Sequence, residues 1–170
     1  MPGANNNVWV STTIGIGSNL DDPVLQVQTA ISALSEIPST RLISASSLYG
    51  NPPMGPADQP DYVNAVALLL TRLSPRGLFQ AIQGIEQAQG RVRDKTERWG
   101  PRRIDLDILT YAYHVVDEPD LSIPHSGISQ RNFVLLPLLE ICPHLPVPGG
   151  GLVSDLAGRI DASELRKIMP

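Results

Sequence analysis

The chain has little cysteine, few aromatics and no long apolar run, and each shortage excludes something. Cys142 is the only cysteine, so no intramolecular disulfide can form and a zinc site of several thiolates is out of reach. It lies in Leu139-Glu-Ile-Cys-Pro143, a stretch that reads as packing and not as the setting of a nucleophile. Aromatic residues make up only 5% of the 170 positions, so each one merits locating. No apolar run approaches the roughly 20 residues that span a bilayer; the longest candidate, 133–141, is interrupted by Pro137 and Glu140. Met1-Pro-Gly-Ala-Asn-Asn-Asn7 is polar and uncharged, with no apolar segment behind it. It reads as a disordered tail and not as a secretory leader, and the cytoplasm is expected by elimination. Basic residues are scarce too: 13 against 17 acidic ones, for a net charge of −4. That balance is ill suited to coating a polyanion, so neither nucleic acid nor membrane is expected as a partner.

Against that background the few basic residues are unevenly spent. Arg91, Arg93, Lys95, Arg98, Arg102 and Arg103 place 6 of the 13 within thirteen positions. Directly after them Ile104-Asp-Leu-Asp-Ile108 alternates apolar and acidic, the period of a half-buried strand. Asp105 and Asp107 then share one face, roughly 6–7 Å apart along the strand. Like charges so placed repel and call for positive compensation. Two magnesium ions about 3.5–4 Å apart, bridged by phosphate oxygens, would fit such a pair. Carboxylates for metal beside an arginine cluster point to a polyphosphate substrate. The plainer alternative is a solvated strand face next to a charged loop.

The rest of the chain supplies a frame. A length of 170 residues favours one domain with its own core, so a single domain over 1–170, with 1–7 as tail, is expected to act as a monomer. Val8 to Ile16 alternates as a first strand. Asp22-Pro23 opens a helix to about Glu36, and Leu42 to Tyr49 forms a second strand. Residues 51–60 carry four prolines and a glycine, which makes them a stiff, shaped loop. Tyr62 to Thr71 is a central strand. Ser74-Pro75 opens a helix with Leu78, Ile82 and Ile85 as its stripe and Gly90 at its end, and Ile104–Tyr111 follows as a strand. The order strand, helix, strand, strand, helix, strand predicts an α+β fold: a ferredoxin-like antiparallel sheet with helices on one face, plus a C-terminal extension. The extension, 112–170, is expected to hold one helix over 133–140 and another over 163–168.

Several residues outside the acidic strand invite two readings. Tyr62 and Asn64 lie two apart on one strand face; an aromatic beside an amide can stack and read a flat heterocycle, or be an ordinary strand pair. Phe133, one of two phenylalanines, could stack on a ligand or pack with Val134 and Leu135. Gln83 and Glu86 are a helical turn apart beside the buried stripe. His125, in Ile123-Pro-His-Ser126, has no neighbours that would form a triad. Gly15-Ile-Gly-Ser-Asn19 lacks the spacing and the lysine of phosphate loops, and reads as a tight strand exit. An RNA-binding module of the same fold, or a kinase acting on another acceptor, would share parts of this pattern. The former would need a basic sheet face where Asp105 and Asp107 stand.

Taken together, these stretches resemble the hydroxymethyl-dihydropterin pyrophosphokinase family. The resemblance is carried by Gly17-Ser-Asn-Leu20, Pro52-Pro-Met-Gly-Pro56, Gln59-Pro-Asp-Tyr-Val-Asn-Ala65, Ile85-Glu86 and Gly90-Arg-Val-Arg93. It continues through Arg98-Trp-Gly-Pro-Arg-Arg-Ile-Asp-Leu-Asp107, Ile123-Pro-His125, Arg131, Phe133 and Pro137-Leu138, all in order. It implies transfer of pyrophosphate from ATP to the hydroxymethyl group of a reduced pterin, with release of AMP. Asp105 and Asp107 would hold two magnesium ions, and Arg91 and Arg102 would neutralise the moving phosphates. Tyr62 and Phe133 would sandwich the pterin, Asn64 would bond its edge, and Asn51, Pro52 and Met54 would complete that pocket. Gln83, Glu86, Arg93, Ser122, His125 and Arg131 would line the ATP site. Trp99 would ride on a mobile loop, 91–103, that closes over both substrates. Two positions depart from relatives: Ser126 is smaller than its counterpart in several of them, and Asp94 lengthens the basic loop compared with some.

Overall fold

A computed structural model describes residues 7–91 and 101–168. The tail 1–6 and loop residues 92–100, with Arg93, Asp94 and Trp99 among them, lie outside the described residues. So does most of the segment for which closure was expected.

The first strand, β1 (Val10–Ser18), leads into α1 (Pro23–Ser35). Asp22 caps the helix, its carboxylate accepting the Leu25 N–H at 3.3 Å, and Pro23 occupies the first turn where a missing N–H costs nothing. Next come β2 (Thr40–Ala45), β3 (Leu48–Asn51) and β4 (Tyr62–Thr71), then α2 (Pro75–Ala88), capped by the Ser74 hydroxyl on Gly77 N–H at 3.0 Å. β5 (Asp105–Tyr111) completes the frame. The extension holds β6 (Val116–Glu118), β7 (Leu121–Ile123), α3 (Asn132–Ile141), β8 (Pro146–Val147), β9 (Gly151–Leu152), α4 (Val153–Ala157) and β10 (Arg166–Ile168).

The main sheet runs β10-β3-β4-β1-β5, with β2 also paired to β4, and all these pairings are antiparallel. β4 is central, as its two-sided apolar pattern predicts. Alternation on the strands splits the core in two. Ile14, Ile16, Ala65, Ala67, Leu69, Leu106 and Ile108 pack with Val27, Leu34, Leu78 and Ile82 of α1 and α2. Val66 and Leu109 face the other way, onto Val134 and Leu138 of α3 and Val153 of α4. Each of the Val, Leu and Ile side chains among them, fully buried, contributes about 1.5–3 kcal/mol. The sheet therefore has α1 and α2 on one face and part of the extension on the other.

Two expectations for the elements need correction. Residues 163–168 are not a helix: Arg166–Ile168 pairs with β3 as an edge strand, because three residues beside an open edge gain ladder hydrogen bonds that a short helix could not match. The expected strand 42–49 is two strands. The break falls at Ser46, whose N–H donates to the Val66 carbonyl at 2.8 Å while its hydroxyl accepts the Val66 N–H at 2.9 Å. The next residue, Ser47, then turns toward α3.

Candidate active site

The second face of the sheet carries the site. Asp105 and Asp107 point there from β5, opposite the side of Leu106 and Ile108, as period two requires. A bulge follows them. Ile14 pairs with Ile108 and Thr13 with Thr110, so Leu109 has no register partner on β1. Its carbonyl accepts the His125 N–H at 2.9 Å, which ties the His125 turn to the end of the acidic strand.

Two clefts meet at this point. The first, of about 270 Å³, is lined by Gly17, Asn51, Met54, Tyr62, Asn64, Arg102, Asp105, Asp107, His125, Arg131 and Phe133, among others. Its size suits one bicyclic ligand. Gly17 is a requirement of close approach: a Cβ there would stand 2.7 Å from Asn64 Oδ1. The Asn64 amide in turn donates to Asn51 Oδ1 at 2.5 Å, so two amides present a fixed polar edge. The second cleft is lined by Phe79, Leu106, Asp107, Ile108, Asp120, Leu121, Ser122, His125 and Ser126, among others. Asp107, His125 and Ser126 belong to both.

The electrostatics divide the acidic pair. Asp105 is paired twice, with Arg91 Nη1 at 2.9 Å and Arg102 Nη1 at 3.1 Å. The compensation expected from the sequence thus falls on this residue. Asp107 has His125 Nε2 at 3.8 Å as its nearest ionic neighbour among the described residues. Desolvation at the concave floor, followed by the charge of Asp105, pushes its carboxyl up to about 7. The side chain keeps 40% exposure toward the cleft mouths. The His125 ring accepts the Gly127 N–H at Nδ1, 3.0 Å away, which leaves the proton of the neutral ring on Nε2, facing Asp107. Burial and Arg131 hold the His125 pKa below its ordinary value. The Tyr62 phenol is held up by burial and stays neutral.

Behind these residues lies a second tier. Glu86 is 3% exposed on α2, pairs with Arg91 and accepts the Leu106 N–H at 3.3 Å. A buried carboxylate needs such partners; here they fix Arg91 against β5. Asn19, which the sequence presents as part of a tight strand exit, joins both sides of the site. It is 1% exposed, its Oδ1 accepts the Arg102 N–H at 2.8 Å, and its Nδ2 donates to Gln59 Oε1 at 3.1 Å and the Pro60 carbonyl at 3.0 Å. Its sequence signals are a polar amide directly after a glycine-containing strand and its place in the Gly17-Ser-Asn-Leu20 stretch that carries the family resemblance. Gly90, at φ +82°, leaves room for Arg103, whose guanidinium would stand 2.4 Å from a Cβ there. Arg103 itself pairs with Asp21 at 2.6 Å. Of the expected site residues that are described, Pro52, Gln83, Glu86 and Arg91 line neither cleft; Arg91 reaches the site through its pair with Asp105.

The donor set suits a hard, oxygen-loving cation. Two carboxylates share a cleft floor and offer oxygen donors alone. That fits magnesium, which keeps water and substrate phosphates among its ligands, better than zinc.

An acidic strand, converging arginines and two joined clefts on a ferredoxin-like sheet define an enzyme of phosphoryl-transfer type. Residues 13–143 match the family model of 7,8-dihydro-6-hydroxymethylpterin-pyrophosphokinase. The chain belongs to that family and is an ATP-dependent pyrophosphokinase. Among similar proteins, the 2-amino-4-hydroxy-6-hydroxymethyldihydropteridine pyrophosphokinase of Haemophilus influenzae is 42% identical over 95% of this chain and 99% of its own. The protein of the same description from Pseudomonas aeruginosa is 48% identical over 84% and 87%. A crystal structure of Plasmodium falciparum HPPK-DHPS A437G with pteroate shares the fold, with a TM-score of 0.73 at 16% identity; the match covers 92% of this chain but 41% of that longer one.

Proposed function

We propose that the protein transfers the pyrophosphoryl group of ATP to the hydroxymethyl group of hydroxymethyl-dihydropterin, releasing AMP, as a step of folate biosynthesis. The observation that carries this reading is the junction of two clefts at Asp107 and His125, beside Asp105 and Arg102. A reaction that joins two ligands needs two pockets whose reactive ends touch, and a polyphosphate needs positive charge at the junction.

In the first cleft the pterin stacks between Tyr62 and Phe133. The amides of Asn64 and Asn51 read its edge, and the segment from Pro52 to Met54 closes the side. ATP occupies the second cleft along Ser122 and His125, reached by Arg131; the family resemblance adds Gln83, Glu86 and Arg93, of which Gln83 and Glu86 lie outside the cleft lining and Arg93 outside the described residues. Asp105 and Asp107 would hold two magnesium ions, which when bound polarise phosphate oxygens and draw off developing charge. Arg91 and Arg102 already converge on Asp105; incoming phosphates take over those guanidinium donors, so the cations lie along the path of the transferred group. Positioning and charge neutralisation suffice for this chemistry, and no covalent intermediate on the protein is needed. The protein acts as a monomer on small molecules.

The test is incubation with ATP, magnesium and the reduced pterin alcohol, followed by nucleotide chromatography. AMP in step with pterin diphosphate is the expected result. ADP would mean single phosphoryl transfer, and no turnover with this acceptor would refute the assignment.

A further inference from the structure

We propose that Glu140 is a positioning residue for the first cleft: its carboxylate clamps α3 onto β3 and so sets the distance between Phe133 and the Tyr62–Asn64 wall. The proposal rests on the pterin reading of that cleft.

The cleft is built from two layers. Tyr62 and Asn64 stand on β4 and Asn51 on β3, whereas Phe133 stands in the first turn of α3 on the far side of the opening. That helix begins at Arg131 without a side-chain cap, so its start is not pinned by the usual device. At its other end Glu140 is held by three donors. Oε1 accepts the Ser47 N–H at 2.9 Å and the Ser47 hydroxyl at 2.8 Å, and Oε2 accepts the Tyr49 hydroxyl at 2.6 Å. Lys167 on β10 adds a positive charge nearby. A lone surface carboxylate has no need of such a set, and charge-assisted bonds of this length are the strong kind.

Both ends of the clamp lead to the cleft. Glu140 follows Phe133 by seven residues, close to two helical turns, so the two lie on nearly the same helix face about 10 Å apart. On the strand side, Tyr49 sits directly opposite Asn64 in the β3–β4 register, two residues before Asn51. Ser47 follows the break at Ser46, which is itself locked to Val66. The strand side of the clamp is thus rigid, and the helix is the part it holds. The ionisation states agree. The Glu140 hydrogen bonds outweigh its partial burial and keep its carboxyl below the ordinary value. Burial and the facing carboxylate hold the Tyr49 phenol well above its own, as a donor.

The test compares Glu140→Ala, Glu140→Gln and Tyr49→Phe with the parent, measuring KM for both substrates, kcat, and calorimetric affinity for a non-reactive pterin analogue. Glu140→Ala should weaken pterin binding about tenfold, the scale of losing charge-assisted bonds that hold a binding element. The KM for ATP should move far less, because most of its cleft comes from β5, α2 and β7. Glu140→Gln keeps an acceptor for Ser47 and should recover most of the affinity. Tyr49→Phe, which deletes one hydroxyl and does not threaten folding, should show a smaller loss of the same kind. Pterin affinity within about twofold of the parent in both Glu140→Ala and Tyr49→Phe would overturn the proposal. So would equal losses for both substrates, or a Glu140→Gln variant as impaired as Glu140→Ala. A parent protein that binds the pterin analogue but forms no AMP would refute the assigned reaction and leave the clamp to be decided by the calorimetry. A parent that does not bind the analogue would overturn both.

Discussion

At the scale of single residues, Asp105 and Asp107 are not equivalent, although the sequence presents them as a matched pair. Asp105 is neutralised by Arg91 and Arg102, whereas Asp107 carries the cost of its position in a raised pKa. Replacing either by Asn should lower kcat at least about a hundredfold at saturating magnesium, because one oxygen ligand opposite the phosphates is lost. AMP release measures it, and near-normal turnover in both variants would remove the metal assignment. The stabilities should diverge in the absence of metal. Asp107→Asn relieves a like-charge pair and should raise Tm, while Asp105→Asn leaves two guanidiniums short of a counter-charge and should lower it. Calorimetric unfolding in chelator separates the two. Arg102→Ala should reduce kcat more than it weakens ATP binding, since its charge matters most while the phosphoryl group is in flight.

At the scale of elements, much of the site was legible because period two puts alternate residues on one face. Asp105 with Asp107, and Tyr62 with Asn64, required nothing more. The helix starts at Asp22 and Ser74 were legible for a similar reason: a cap followed by proline is a local signal. The bulge at Leu109 was not, because extra residues in a ladder are decided by the partner strand. Nor was the pairing of Arg166–Ile168, which depends on an open edge far away in the sequence. The bridging role of Asn19 was not legible for the same reason: its partners, Gln59 and Arg102, are 40 and 83 residues away. The tight crossing of β1 and β4 at Gly17 makes a sharp prediction. Gly17→Ala puts a methyl 2.7 Å from Asn64 Oδ1, so the amide must turn and pterin binding should fall while ATP binding holds. Tyr62→Ala and Phe133→Ala should likewise cost pterin affinity, by about 1–3 kcal/mol per stacking face. Calorimetry with a pterin analogue and a non-hydrolysable ATP reads all three, and equal losses for both ligands would make these residues core and not pocket.

At the scale of the whole molecule, the chain concentrates unfavourable charge at its functional junction and places compensating interactions elsewhere, so its stability should depend on pH in two opposite ways. Asp107 has a folded pKa near 7, above that of the unfolded chain. The folded state therefore holds a proton that the unfolded state releases. The associated stability is complete below about pH 4 and is lost as pH rises toward 7. Glu140 has the reverse sign: its folded pKa lies below the ordinary value of 4.5, so its contribution is present above that pH and disappears as the solution is acidified. Without divalent cations the two effects favour a stability maximum on the mildly acidic side, declining toward strong acid on the Glu140 limb and toward neutrality on the Asp107 limb, the latter softened by His125, whose lowered pKa adds stability as pH rises through the same range. Magnesium should act on one limb only. A cation bound at Asp105 and Asp107 stabilises the ionised carboxylate, so the decline between pH 5 and 7 should flatten as magnesium is added, while the acid limb stays unchanged. Asp107→Asn should flatten the same limb without any metal, and Glu140→Gln should flatten the acid limb alone. Thermal unfolding of the three proteins from pH 3 to 8, with chelator and then with magnesium, measures this directly. An acid limb that responds to magnesium, or a neutral limb indifferent to both magnesium and Asp107→Asn, would show that the charge at the junction of the two clefts is not organised as described.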